Sequence, residues 1–162
     1  VKIGKAVREA LAETKTPFEP TTAPAGEPPT LGFDTAEVER ALGFSGKNNG
    51  GVLQFSIPKA EQIRAGGMAV APAMGTAIAI NFQPTGGGSA AISGDFVATA
   101  NEVEPLLKAL QTNGIEVTAL HNHMLNDEPR LFFVHFWAND DAVKLAHGLR
   151  AGLAAVHVAS RS

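Results

Sequence analysis

The sequence predicts an α+β fold, an antiparallel sheet built from two β-β-α units with the helices packed on one face. Two pairs of apolar or alternating segments, each pair joined by a turn, favour the strands. An apolar stripe at helical spacing follows each pair and favours a helix. A short internal repeat supports two equivalent units, because residues 95–98 (DFVA) precede Asn101 as residues 135–138 (HFWA) precede Asn139.

The composition narrows the class of protein. The 162 residues carry 13 basic and 16 acidic side chains, and the basic ones are scattered along the chain. A nucleic-acid-binding surface would concentrate basic residues in a patch, so we expect no nucleic-acid partner. No apolar run is long enough to span a membrane, and the lack of cysteine excludes disulfides and thiolate metal ligands within this sequence.

Residues 1–32 are predicted to form an N-terminal helix followed by a proline-rich linker or strap. Residues 3–13 show a short helical pattern, and five prolines fall within residues 17–29. Proline has no amide hydrogen and a fixed φ, so this second stretch is expected to be extended. A single α+β domain is predicted over residues 33–162.

The predicted domain begins with a capped helix. Asp34 followed by Glu37 is a capping-box pattern, and Gly43 suits a helix end, which together predict a helix over residues 35–42. A loop rich in glycine and asparagine is expected to follow, over residues 45–51.

Three strands are predicted in the next part of the chain, over residues 52–57, 77–83 and 90–97. The second of them alternates apolar and polar residues, as a strand with one buried face does. Residues 86–88 are three glycines that suit a hairpin turn. Residues 65–75 are small and flanked by glycine, which fits either close packing or a mobile flap.

Two further helices are predicted behind the strand pairs. Asn101 with Glu104 is a capping pattern ahead of a helix that ends at Gly114, and either Asn139 or Asp140 caps a last helix that runs through residue 156. The side chains expected to face the core are Val103, Leu106, Leu107 and Leu110 in the first helix, and Ala142, Leu145, Ala146, Leu149 and Leu153 in the second.

Three histidines form the strongest chemical pattern in the sequence. Residues 115–124 and 130–138 are predicted to form an antiparallel hairpin closed by a five-residue turn. Because side chains alternate along a strand, the three imidazoles then share one face, either the helix-covered core or the open face of the sheet. Pairing Met124 with Arg130 sets the expected opposite pairs: His121 with Phe133, His123 with Leu131, and His135 with Ala119.

This arrangement predicts a metal site formed by His121, His123 and His135. Imidazoles on one face can converge on an ion at about 2.0–2.1 Å from each nitrogen. Zn, Cu, Ni and Fe all accept such ligands, and we favour Zn or Cu. Three ligands with an open fourth position are typical of catalytic sites. His147 and His157 are expected at the surface, because His147 falls off the apolar stripe of the last helix and His157 lies in the tail that follows it.

Two carboxylates are candidates for roles beside the metal. The repeat gives Asp95 the structural position of His135, so Asp95 is expected to be a fourth ligand or a hydrogen-bond partner of a ligating imidazole. Glu128, in the predicted hairpin turn, is a candidate catalytic acid or base. The plainer alternatives are a strand-end polar residue for Asp95 and a solvated turn residue for Glu128. Large side chains beside the histidines, Phe133 and Trp137, suit a half-closed pocket.

Several motifs carry a resemblance to a known family. Residues 116–123 (EVTALHNH) followed by Pro129-Arg130 resemble the LppY/LpqO family, as do residues 33–36 (FDTA), 51–58 (GVLQFSIP), 74–77 (MGTA) and 94–97 (GDFV). This is a bacterial family of unknown function, some of whose members are described as lipoproteins. The resemblance covers the chain from Phe33 to its end and implies a periplasmic or secreted location, but no reaction.

The sequence therefore predicts an extracytoplasmic metal-binding protein with a three-histidine site. Two functions remain open. The first is a metal-dependent enzyme of unknown substrate, and the second is a non-catalytic module that binds a metal or a small-molecule ligand.

Overall fold

The computed structural model describes residues 2–14, 17–18 and 29–159. Helix α1 (Lys2–Ala12) carries only exposed side chains, and the predicted proline-rich strap lies mostly outside the described residues. None of the helices in the described part of the chain is long and apolar enough to cross a membrane.

The described core of the chain is a six-stranded antiparallel sheet with strand order β1-β2-β5-β6-β9-β7. A second, three-stranded sheet has the order β4-β3-β8. The predicted α+β class with an antiparallel sheet is confirmed. The elements after α1 are α2 (Thr35–Leu42), β1 (Lys47–Asn49), β2 (Val52–Pro58), β3 (Arg64–Ala65), β4 (Met68–Ala69), a 3₁₀-helix (Pro72–Met74), β5 (Ala77–Gly86), β6 (Ser89–Ala98), α3 (Ala100–Thr112), β7 (Glu116–His121), β8 (Asp127–Glu128), β9 (Phe132–Asp141) and α4 (Ala142–Ala154).

Helix α2 has the bounds that its capping residues predict. The Asp34 carboxylate accepts a hydrogen bond from the Glu37 amide at 3.0 Å. Gly43 takes the left-handed conformation, with φ of 87°, and ends the helix. The loop predicted to follow was only partly correct, because residues 47–49 pair with β2 as the edge strand β1.

The hydrophobic core lies between one face of the large sheet and the helices α3 and α4. The alternation along β5 places Ile78, Ile80 and Phe82 in this core, where all three are fully buried. All the side chains predicted to face inward from α4 are buried, as are Leu106 and Leu110 of α3. Helices α3 and α4 therefore leave the opposite face of the large sheet uncovered.

Helices α3 and α4 both start at residues other than the predicted ones. Helix α3 is capped by Thr99 and Glu102, two residues before the predicted pair, because the buried Glu102 carboxylate accepts hydrogen bonds from the Thr99 amide and from the Lys59 ammonium. Helix α4 is capped by Asp141, since β9 continues in register with β6 to that residue. In each case a long-range contact overrides a capping pattern that is plausible locally.

The glycine-flanked segment over residues 65–75 forms part of the three-stranded sheet. Residues 64–65 and 68–69 pair as β3 and β4 around Gly66 and Gly67, and the 3₁₀-helix follows. Strand β3 also pairs with β8, which lies inside the connection between β7 and β9. That connection is therefore a paired segment and not the simple turn that the sequence suggested.

Candidate metal centre

The histidine hairpin has the predicted register around two of its three histidines. In the β7–β9 ladder His121 lies opposite Phe133, and His135 lies opposite Ala119. The register shifts between Val117 and Ala119, so that Thr118 forms a bulge that the sequence did not reveal. Bulges redirect side chains and often lie beside functional sites.

The third histidine does not occupy a ladder position. Strand β7 ends at His121, so the expected pairs of His123 with Leu131 and of Met124 with Arg130 do not form. Instead the Asn122 side-chain amide donates a hydrogen bond to the Leu131 carbonyl. The chain departs there because the residues beyond it pair with β3 as β8.

His123 nevertheless returns to the histidine face through a ring contact. Its imidazole stacks on the Phe133 ring, with 3.4 Å between the centroids and 11° between the planes. This contact places the His123 ring 5.0 Å from the His121 ring, measured between centroids. The fully buried Phe133 thus supports the third imidazole that the strand geometry alone does not position.

The three imidazoles converge on one place. One ring nitrogen each of His121, His123 and His135 lies within 4.8 Å of the other two. The His121 and His135 rings stack with 4.9 Å between their centroids. The neighbours of His135 on β9, Val134 and Phe136, are buried in the helix-covered core, which places the histidines on the other face of the sheet.

Asp95 lies beside this group. It pairs directly with His135 in the β6–β9 ladder, so both side chains project from the same face. Burial raises the pKa of the Asp95 carboxyl, while His135, His123 and His121 and a backbone hydrogen bond from Ala79 act to lower it. Asp95 is not one of the residues whose ligand atoms converge within 4.8 Å.

The protonation of His123 suits metal binding. Burial lowers the pKa of the His123 imidazole below its ordinary value of 6.5, and the neighbouring His121 lowers it further. The neutral imidazole is the form whose lone pair can bind a metal. At neutral pH, proton competition at this nitrogen is therefore weak.

Glu128, the predicted acid or base, lies on β8 opposite Arg64 in the three-stranded sheet, and its side chain is exposed. It does not belong to the converging group of histidines. Its neighbour Asp127, which no sequence pattern indicated, is buried and accepts a hydrogen bond from the Leu131 amide at 2.8 Å. That bond fixes the loop on which His123 lies.

A second convergence of potential ligands, formed by Glu61, Glu102 and His157, is a salt-bridge network. The Lys59 ammonium donates to both Glu102 oxygens at 2.7 and 2.9 Å and lies 3.4 Å from a Glu61 oxygen. The His157 amide donates to Glu102 at 2.6 Å. Lys59 already supplies the positive charge between the carboxylates, so this group is not a metal candidate. His157, expected only at the surface, connects the C-terminal segment to α3 through its backbone.

A concave pocket of about 460 Å³ opens next to the histidines. Asp95, His135, Thr118 and Trp137 are among the residues that line it. Trp137 is 48% exposed, as suits the predicted half-closed pocket, whereas Phe133 is fully buried beneath His123. Thr118 was missed because nothing in the local sequence signals the bulge that turns it toward the pocket.

Comparison with known proteins yields one family. The family model described as Domain of Unknown Function (DUF1259) matches residues 36–155, which include all three histidines and Asp95. Neither a curated protein nor a solved structure matches the chain significantly.

Proposed function

The chain belongs to the family described as Domain of Unknown Function (DUF1259), and we propose that its histidine site binds a transition metal ion, Zn²⁺ or Cu²⁺. The observation that carries this proposal is the convergence of His121, His123 and His135 from a strand end, a loop and a neighbouring strand. Three of the chain's five histidines meet at one place on a sheet face, and a purely structural role does not require that.

The spacing of the nitrogens supports a single ion. Nitrogens bound at about 2.0–2.1 Å to one metal lie no more than about 4.2 Å apart. The upper limit of 4.8 Å between the three histidines is close to that distance, and rotation of exposed imidazoles can close the difference. Because imidazole favours both Zn²⁺ and Cu²⁺ and the chain has no cysteine, these two metals fit the site best.

Three protein ligands would leave a coordination position open, as is typical of catalytic metal sites. A metal held by His121, His123 and His135 would supply Lewis-acid chemistry to a water molecule or a substrate oxygen. Asp95 would accept a hydrogen bond from the second ring nitrogen of His135 and orient that ligand. The interpretation of the fold as two β-β-α units, which first suggested this role for Asp95, remains part of the proposal.

A non-catalytic metal- or ligand-binding module is the second candidate. It is favoured by the position of Glu128, the proposed acid or base, on β8 in the other sheet. An enzyme of this kind would need a general base within hydrogen-bond reach of the reacting atom. Asp95 is the nearer candidate for that role, because it lines the pocket together with His135.

The resemblance to the LppY/LpqO family and the periplasmic or secreted location that it implies remain proposals.

Metal analysis of protein purified without an affinity tag tests the proposed function. We expect one Zn²⁺ or Cu²⁺ per chain after dialysis against metal-free buffer and reloading. Trp137 gives an independent signal, because the chain contains one tryptophan and no tyrosine. Cu²⁺ bound at His135, two residues away on the same face, should quench its fluorescence with a one-to-one endpoint. Metal that is removed completely by dialysis, together with a linear, unsaturable quenching curve, would contradict the proposal.

A further inference from the structure

One row of side chains crosses the whole open face of the sheet. The register aligns them strand by strand from β7 to β1 as Glu116, Trp137, Ser93, Asn81, Gln54 and Lys47. The two charged residues lie at the ends. Between those ends the row contains an aromatic ring, a hydroxyl and two amides, and no charged side chain.

The neighbouring row, which contains His135, forms the floor of a trench. Its members toward β2 are Asp95, Ala79 and Ser56, and the last two are small. Small side chains beside a row of larger ones leave a channel that runs across the strands. The channel therefore starts at the histidines and leads away from them across β6, β5 and β2.

Two cavities mark the course of this trench. The cavity of about 460 Å³ at His135 and a cavity of about 500 Å³ at Ser56 and Gln54 share Ala79 and Asn81 as lining residues. From β9 to β2 there are three strand spacings of about 4.8 Å each, which gives a length of about 14 Å. That length suits an extended ligand better than a single small molecule.

The amides along the wall are held in fixed orientations. The Gln54 side chain donates to the Asn81 side-chain oxygen at 2.9 Å, and Asn81 donates to the Ser93 carbonyl at 3.2 Å. Asn49 donates to the Gln54 side-chain oxygen at 2.9 Å. Oriented neutral amides can bind hydroxyl groups without first losing side-chain freedom.

Trp137 is the apolar feature of this polar row. Its side chain is 48% exposed although it lies on β9, between two neighbouring strands. An exposed aromatic ring beside polar side chains offers a stacking face to a ligand. A pyranose ring matches this surface, because its C–H face stacks on an aromatic ring while its hydroxyl groups reach neighbouring amides.

The trench chemistry disfavours other ligands. A phosphate or carboxylate group would require arginine or lysine along the wall, and the row has a cation only at Lys47, at its far end. A peptide added as a strand would require free main-chain groups, but those of β5, β6 and β9 are paired on both sides. A neutral, hydroxyl-rich chain satisfies the wall and the tryptophan together.

We infer that this trench binds a neutral oligosaccharide and presents one of its sugar units to the histidine site. The presentation of a sugar unit to the histidines rests on the proposed function, because the metal would lie at the end of the bound chain. Beyond His135 at its end, the trench is formed by residues outside the histidine group, so the two ideas can fail separately.

The test uses defined neutral hexasaccharides: β-1,4-linked glucose, α-1,4-linked glucose and β-1,4-linked N-acetylglucosamine. Each is titrated into the metal-loaded protein up to millimolar concentration, with Trp137 fluorescence and calorimetry as readouts. We expect saturable binding of at least one, and weaker binding of its trisaccharide. No saturable signal with any of them would overturn the inference, as would binding of only a polyanionic hexasaccharide or an unstructured peptide.

Two variants locate the bound sugar. Ser56→Leu fills the trench floor two strands away from Asp95 and should weaken hexasaccharide binding by about tenfold or more through steric overlap. Trp137→Ala should weaken hexasaccharide binding by a similar factor, as measured by calorimetry. Leu120→Ala is the matched control, because Leu120 is equally exposed but alternates to the other face of β7. Equal affinities for all three proteins would overturn the inference.

Metal content measured on the same samples separates this inference from the proposed function. Stoichiometric metal binding without sugar binding would contradict the inferred oligosaccharide and support the proposed metal site. Sugar binding without stoichiometric metal supports the trench and contradicts the metal site.

Discussion

Asp95 lies directly opposite His135 in the β6–β9 ladder, and both side chains project from the face that α3 and α4 do not cover. Opposed residues on neighbouring strands have Cβ atoms about 4.5–5.5 Å apart, which is close enough for a carboxylate to reach an imidazole. Burial raises the pKa of the Asp95 carboxyl, so its ionised form disfavours the folded metal-free protein. A bound cation would remove that disadvantage.

Asp95→Asn should therefore separate stability from metal affinity. The raised pKa means that ionisation reduces the stability of the metal-free protein above the unfolded-state pKa of 3.8. The variant should accordingly be more stable than the wild type at neutral pH, and the difference should vanish below pH 3.8. Metal affinity should fall by about 10–100-fold, less than for loss of any histidine. Urea unfolding and metal titration measure the two quantities.

A lower stability of Asp95→Asn at neutral pH, with unchanged metal affinity, would assign Asp95 a purely structural role. That role would not be the capping of α3, because Thr99 and Glu102 cap this helix.

Gly94→Ala should disturb the sheet beside the site. A Cβ at this position would lie 2.0 Å from the Ala79 carbonyl oxygen and 3.1 Å from the Phe136 ring. The backbone of β5 cannot move away without breaking its pairing, so we expect a loss of about 2–3 kcal/mol of stability. Metal affinity should also fall, because Asp95 follows directly. Ser93→Ala, one residue earlier on the open face, should change stability by less than about 0.5 kcal/mol. Equal unfolding midpoints for both variants would show that the strands do not approach as described.

Glu102→Gln should remove a pH-dependent part of the stability. Hydrogen bonds from Lys59 and the Thr99 backbone outweigh burial and lower the pKa of Glu102 below 4.5. Its stabilisation is therefore present above pH 4.5 and is lost as the pH falls from there toward the folded-state pKa. The variant leaves the Lys59 ammonium poorly paired in a buried position, which should cost about 3–5 kcal/mol at neutral pH.

Glu104→Gln, on the exposed side of the same helix, is the matched control. Denaturant unfolding is measured at neutral pH and below pH 4.5. The wild type and Glu104→Gln should both lose this part of their stability at the lower pH, whereas Glu102→Gln should not. Identical pH profiles for all three proteins would contradict the role given to the network.

Removal of the N-terminal region should leave a folded protein. The described side chains of α1 are all exposed, and Asn48 of β1 donates a hydrogen bond to the Pro29 carbonyl at 2.9 Å. Deletion of residues 1–30 should therefore lower stability by only about 1 kcal/mol relative to deletion of residues 1–28, which keeps that acceptor. Leu31 stays in both proteins because it is buried. Loss of cooperative thermal unfolding in the longer deletion would show that the strap is structural.

Local patterns predicted the parts of the site that regular strands position. Alternation placed His121 and His135 on one face with the correct partners, and the short repeat placed Asp95 level with His135. The bulge at Thr118 and the departure of His123 from the ladder were not predictable locally. Both depend on pairing between distant segments, above all that of β8 with β3, for which residues 127–128 carry no strand pattern.

The same limit applies to the fold. Helix α2 followed its caps because these are local, whereas α3 is capped by Thr99 because Glu102 also binds Lys59, 43 positions earlier in the chain. The exposed row that includes Trp137 and Gln54 became visible only when the order of the six strands was known.

The most direct test of the central claim is the metal stoichiometry of four single variants: His121→Ala, His123→Ala, His135→Ala and His147→Ala. Two remaining imidazoles should compete poorly with water and buffer, so each of the first three should lose stoichiometric Zn²⁺ or Cu²⁺ while remaining folded. His147 is exposed on α4, outside the converging group, and its variant should retain one metal per chain. If His121→Ala, His123→Ala and His135→Ala all bound metal as the wild type does, the three imidazoles would not form a metal site.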